Sequence, residues 1–284
     1  MSLARNLQYL DMMLEADSKA GNFYDMLGTP ALLCGKDGVP IMNMGYWRET
    51  PAGLPTDLRE ASQALQTLIG EYADLEDPEQ TVLDVGCGFG SNALYLLRKY
   101  KLRSIIGLNT SSVQLRWGAA MAARERLGEQ VRFVRGSATS MPLADCSVDR
   151  IICVEAAFHF SLRTHFFTEA YRVLKPGGLL AMVDLIPLPP KNVLQRSQFL
   201  VLRRALQIPG GNVYGLPEYT RNLTAAGLHV ELMRSIREDV IPHYPRWLRA
   251  QPLSKMWNLD VLYMLGMASF FMQRWDYALI TARK

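Results

Sequence analysis

The run Val82-Leu83-Asp84-Val85-Gly86-Cys87-Gly88-Phe89-Gly90 constrains this chain more than any other feature. Four strand-forming positions lead into three alternate glycines, and a helix-forming stretch follows over 91–99. Such a turn exposes backbone N–H groups at the carboxyl end of a strand, where open α/β sheets bind their ligands. Glycine suits it because a Cβ would stand between backbone and ligand. The spacing Gly86-x-Gly88-x-Gly90 is not the GxGxxG of a dinucleotide site. Asp84, two residues before the first glycine, would repel a pyrophosphate and suits a ligand bearing a cationic ammonium group.

The surrounding pattern extends this unit. Apolar strand-length runs at 82–85, 105–108, 131–134, 148–154 and 179–185 alternate with helix candidates at 91–99, 111–127 and 162–174. Alternation of this kind predicts an α/β fold with a parallel sheet covered on both faces. Continuously apolar strands agree with burial on two sides. Upstream, 1–28 reads as an amphipathic helix, the compact run Asn43-Met44-Gly45-Tyr46-Trp47 lies between Gly- and Pro-containing segments, and a helix is expected over 57–72. Downstream come a helix near 192–206, a helix and strand within 217–233, an aromatic- and Met-rich stretch over 244–271 and a last strand near 277–281.

With 284 residues, 49% of them apolar, the chain can bury a full α/β core. A net charge of +4, with Lys and Arg scattered, argues against a dedicated nucleic-acid surface. Cys34, Cys87, Cys146 and Cys153 form no CxxC pair and read as reduced thiols, two of them in core strands. No His/Cys/Asp/Glu spacing suggests a metal site. The acidic residues within its apolar stretch make the N-terminus a poor signal peptide, no apolar run is long enough to span a bilayer, and a cytoplasmic location is expected.

The glycine run closely resembles the first motif of class I S-adenosylmethionine-dependent methyltransferases. Arg172-Val173-Leu174-Lys175-Pro176-Gly177-Gly178 resembles their late turn before the fifth strand. The resemblance is strong over 81–185 and weak in the flanks. It implies a Rossmann-like, seven-stranded, mostly parallel sheet with helices on both faces and an antiparallel last strand. It also implies an N-terminal helical cap over 1–75 and a catalytic domain over 76–284, with a substrate-covering insertion at about 236–274. The implied cofactor is S-adenosyl-L-methionine, leaving S-adenosyl-L-homocysteine as product. Carried over by position, Asp84, Gly86, Cys87 and Gly88 would line its methionine portion. Asn109 stands where the family usually has an acid for the ribose hydroxyls, with Thr110 and Gln114 beside it; an amide can still donate to and accept from a diol. Ser137 and Ala138 match the adenine-contacting turn, and Glu155 belongs to the cofactor side.

The ends of the fourth and fifth expected strands bring His159 and Asp184 to the same sheet edge as the glycine loop. A hydroxyl acceptor must lose its proton as it attacks, which suits an imidazole, and a carboxylate can orient that imidazole. His and Asp at these places resemble the base and partner of sugar and natural-product O-methyltransferases. The structural alternative packs His159 between Phe158 and Phe160 and uses Asp184 to cap a turn. On the acceptor side, Tyr24, Tyr46, Trp47, Phe158 and Met264 are the expected lid or pocket residues, since apolar ligands bind in apolar, aromatic concavities. The expected activity is methyl transfer to a hydroxyl of a small, largely apolar metabolite. Transfer to carbon or nitrogen, and a cyclase or binding protein that keeps the fold, stay open as alternatives. A homodimer and peripheral membrane contact also stay open.

Overall fold

The computed structural model describes residues 40–48, 55–205, 207–251 and 274–284. The expected helix over 1–28, Tyr24, Cys34 and Met264 lie outside the described residues, as do positions 252–273 of the expected insertion. Seven strands form one sheet: β1 (Val82–Val85), β2 (Ile105–Asn109), β3 (Val131–Arg135), β4 (Val148–Val154), β5 (Leu174–Pro187), β6 (His229–Ser235) and β7 (Trp275–Arg283). Their order is β3-β2-β1-β4-β5-β7-β6. The pairs β1–β2, β2–β3, β1–β4 and β4–β5 are parallel, and β7 runs antiparallel to both β5 and β6.

Helices α1 (Leu58–Tyr72), α2 (Ser91–Tyr100), α3 (Ser112–Arg124), α4 (Arg163–Val173), α5 (Val193–Ala205), α6 (Leu216–Ala225) and α7 (His243–Arg249) cover the sheet. Alternate residues of one strand feed two separate cores. Ala181 and Val183 of β5 join a cluster with α1, α2 and α7, while Leu180 and Met182 join one with α4 and α6. This two-sided burial is why the parallel strands read as continuous apolar runs rather than alternating ones. Two helix starts are set by local chemistry, with Asp57 accepting from Glu60 N at 3.0 Å and Ser111 from Gln114 N at 3.0 Å.

Elements differ from the sequence expectation mainly in length. β5 runs well beyond 179–185, because partners on both sides extend its ladder to Leu174 against β4 and to Pro187 against β7. Two cysteines are expected in core strands; among the described residues only Cys153 lies in one, in β4, and Cys87 is buried in the loop after β1. Among the described residues no helix is long and apolar enough to cross a membrane.

Candidate active site

Successive strands run outward from β1 toward β3 in one direction and from β4 toward β5 in the other. That reversal opens a crevice at the carboxyl ends of β1 and β4. An open cleft lies there. The glycine loop lines it from Asp84 to Phe89, followed by Ser91 and Asn92 at the start of α2. Asn109, Thr110, Gly136 and Ala138 come from the ends of β2 and β3, Gln114 from the first turn of α3, Glu155, Ala156, His159 and Phe160 from the segment after β4, and Met42 and Asn43 from the segment before α1.

The loop is pinned to β2, since Gly86 N and Cys87 N both donate to Leu108 O, at 2.8 and 3.1 Å. Gly86 has φ +73°, and a Cβ there would stand 2.4 Å from Ala156 Cβ. Gly88 has φ +54°, and a Cβ there would project into open space. Gly90 serves packing instead: a Cβ would fall 2.5 Å from the Phe133 ring, which also abuts Gly107 and Gly118.

Two carboxyl groups face the cleft, Asp84 fully buried and Glu155 half-buried. Asp84 is 1% exposed, and its Oδ2 has no hydrogen-bond partner among the described residues. Burial pushes its pKa up to about 7, with the nearby Asn92 amide and Ala93 N–H offsetting only part of the cost. Glu155 takes φ +49°, and its Oε1 accepts from Met44 N at 2.8 Å and from the Tyr277 hydroxyl at 2.6 Å. Burial raises it to about 7 as well; those two bonds oppose the shift and the Asp184 charge adds to it. An acid with an orphaned oxygen, beside glycines that leave the backbone bare, fits a ligand carrying an ammonium group, as S-adenosylmethionine does.

These acids make binding and stability respond to pH in opposite senses. With both pKa values raised, the native protein holds more protons than the unfolded chain between the ordinary carboxylate range and about pH 7. The contribution of these groups to stability is therefore full below that window and is lost as pH rises through about 7. A cationic ligand draws both groups toward their ionised forms, so its affinity weakens as pH falls below about 7, with proton uptake on release. Calorimetric titration with S-adenosylmethionine in buffers of different ionisation enthalpy should detect that proton. An affinity independent of pH, with no proton exchanged, would refute the linkage.

Beside the loop, Asn109 Nδ2 donates to Gln114 Oε1 at 2.7 Å and to Gly88 O at 3.3 Å, while its Oδ1 accepts from Thr110 N at 2.8 Å. The two amides thus form one unit that bridges the end of β2 and the first turn of α3. Ser137 is buried, with its hydroxyl 2.8 Å from that of Thr139, and it does not line the cleft, whereas Ala138 does.

After β4 a short 3-10 turn, Ala157–His159, brings His159 to the cleft wall. Phe158 is buried away from the cleft, its ring 4.0 Å from the imidazole centroid. Asp184 does not line the cleft either. Its Oδ2 lies 2.8 Å from Arg163 Nε and 3.0 Å from the Tyr219 hydroxyl, and its Oδ1 accepts from Phe158 N and Leu185 N. The reason is strand alternation: with Met182 and Ile186, Asp184 belongs to the face covered by α4 and α6. Its carboxyl is raised by burial and lowered by Arg163. Arg163→Met should destabilise the protein by about 3–5 kcal/mol, because it strands a carboxylate in the core. Urea unfolding measures this, and a loss below about 1 kcal/mol would contradict it.

Tyr46 and Trp47 are buried and do not line the cleft. Trp47 donates its indole N–H to Met44 O at 2.8 Å and stacks on His243, ring centroids 6.4 Å apart. Backbone bonds from Tyr46 N to Ala61 O and from Trp47 N to Asp239 O fasten this segment, and it is Met42 and Asn43 just before it that reach the cleft. The compact run at 43–47 marked the segment, but nothing local distinguished anchoring residues from lining ones. Asn92 and Phe160 are further lining residues that the sequence reading did not single out.

A methyltransferase-domain family model matches residues 83–182. The erythromycin 3''-O-methyltransferase of Saccharopolyspora erythraea is 35% identical over 218 residues, 73% of this chain and 68% of that relative. The 27-O-demethylrifamycin SV methyltransferase of Amycolatopsis mediterranei is 27% identical over 253 residues, 86% of this chain and 89% of that relative. Among solved structures, the cyclase SpnF superposes with a TM-score of 0.76 at 24% identity, covering 94% of this chain and 96% of its own. At that identity the likeness shows the fold alone.

Proposed function

This chain belongs to the class I S-adenosylmethionine-dependent methyltransferases, and from that premise we propose that it methylates a hydroxyl of a small, largely apolar natural-product metabolite, with His159 as the base. When bound, the cofactor supplies an activated, electrophilic methyl group. The Asp84 carboxylate holds the ammonium group, while Gly86 and Gly88 leave room for the ligand beside the backbone. Asn109 and Gln114 hold the ribose hydroxyls, and the turn at Ala138 receives the adenine. Glu155 adds negative charge on the same side.

The single observation that carries the reading is that His159 lines the same cleft as Asp84 and the glycine loop. An imidazole there can accept the hydroxyl proton as the acceptor oxygen becomes nucleophilic, and much of the remaining acceleration comes from alignment of the two ligands. Phe160 and Met42 give that cleft apolar surface to exclude water. The 3''-O-methyltransferase named above acts, by its name, on erythromycin, which favours a glycosylated macrolide as the first acceptor to try.

The test incubates the protein with S-adenosylmethionine bearing a deuterated methyl group and a macrolide glycoside with a free sugar hydroxyl, followed by a panel of apolar alcohols. A labelled methyl ether, located by NMR, is the expected product. A labelled C–CH3 or N–CH3 group would overturn the hydroxyl assignment. Cofactor binding without methylation of any acceptor would favour the cyclase or binding reading.

A further inference from the structure

The backbone that carries His159 is held by a buried polar cluster. On either side of His159, the carbonyls of Phe158 and Phe160 accept from the Asn212 amide at 3.3 and 2.6 Å. The Phe158 N–H donates to Asp184 Oδ1 at 3.1 Å. Arg163 closes the ring of contacts. Its N–H donates to Asn212 Oδ1 at 2.9 Å, and its guanidinium donates to the carbonyls of Asn212 and Leu185 at 2.6 and 2.7 Å while pairing with Asp184. The guanidinium also lies 5.3 Å from the ring centroids of both Tyr214 and Tyr219. Asn212, Arg163 and Asp184 are each 0% exposed. Asn212 ends the short turn Gly210–Asn212 between α5 and α6, and that turn sits tightly, since a Cβ on Gly211 would fall 2.4 Å from Leu162 Cδ2.

Packing alone does not account for this composition. Burying an ion pair and an amide carries a large desolvation cost, and apolar residues of similar volume often hold a core as well or better. What polar groups add is direction. Here the bonds converge on the backbone of the two residues that flank His159. We propose that Asn212, Asp184 and Arg163 form a positioning clamp that fixes the backbone on both sides of His159 and thereby aims its imidazole into the cofactor cleft. Asp184 then acts through the backbone, not on the imidazole. The functional consequence of the clamp rests on the reading of His159 as the base.

The test of the clamp reads the imidazole directly, and an acceptor is needed only for its last comparison. Full-length protein with histidines carrying 13C at Cε1 is titrated by NMR with S-adenosylhomocysteine present, and the His159 signal is assigned from its loss in His159→Gln. Asn212→Leu keeps the approximate shape and removes both amide donors. Asn212→Ser is the milder change, leaving room for water to serve the carbonyls. In Asn212→Leu the His159 signal should shift or split and its titration midpoint move by at least about half a pH unit. Asn212→Ser should show a smaller change in the same sense. The His165 and His229 signals and S-adenosylhomocysteine affinity should stay within twofold of wild type, which distinguishes the clamp from general loss of structure. If Asn212→Leu does not fold, the serine variant decides. A His159 signal and midpoint identical to wild type in every folded variant would overturn the clamp. A moved signal, combined with undiminished methyl transfer by His159→Ala, would sink the base assignment and leave the clamp standing.

Discussion

Gly88→Ala is expected to lose affinity for S-adenosylmethionine on the order of 100-fold, about 3 kcal/mol, while remaining folded. Among the described residues the added Cβ meets no atom within 4 Å, because it points into the cleft. Its cost to the fold is therefore limited to the positive φ, about 1–2 kcal/mol for a non-glycine residue. Gly86→Ala should lose affinity equally but cost more stability, since its Cβ would press on Ala156. Calorimetric titration with S-adenosylmethionine, read beside thermal unfolding of both variants, separates ligand space from fold space. Wild-type affinity in Gly88→Ala would mean that the ligand does not approach the loop. The cofactor would then have to be held elsewhere in the cleft.

The second large effect concerns proton removal. His159→Ala should lower the rate of methyl transfer by roughly 10²–10⁴-fold, the usual range for loss of a positioned general base. Cofactor affinity should change little, because Asp84 and the Asn109–Gln114 pair lie on other walls of the cleft. Single-turnover kinetics with an accepted alcohol measure the rate, and calorimetry measures the binding. A fall in binding equal to the fall in rate would recast His159 as a cofactor contact. An acceptor of lower pKa should partly restore the rate, as it needs less help to lose its proton.

Both predictions depend on groups at the carboxyl edge of the sheet, and that edge was legible before any coordinates. Parallel strands present their carboxyl ends together, so Asp84, Asn109, Ala138 and His159 had to share a side once the alternation of strands and helices was recognised. Glycines at 86, 88 and 90 marked the loop, although their separate uses needed their neighbours: Ala156 for Gly86, open cleft for Gly88 and the Phe133 ring for Gly90. Asp184 shows where sequence reasoning stopped. Its place at a strand end suggested a partner for His159, yet the period of two within β5 sends it to the α4 and α6 face with Met182 and Ile186. Arg163 at the start of α4 was the available signal once the fold is known, a cation on a helix expected to pack beside the end of β5 only through its apolar residues.

By itself, then, the sequence determined the order and type of the elements, the sheet edge that carries the site and the loop that opens it. These follow from periodicity and from backbone sterics, which act between near neighbours in the chain. Tertiary structure alone decided which of the inward-facing polar groups pair: Asp184 with Arg163, the half-buried Glu155 with Met44 and Tyr277, and Asn212 with the backbone around His159. A buried charge or amide takes whichever partner the fold brings within about 3 Å, and that partner arrives from a distant part of the chain through the packing of whole helices and strands.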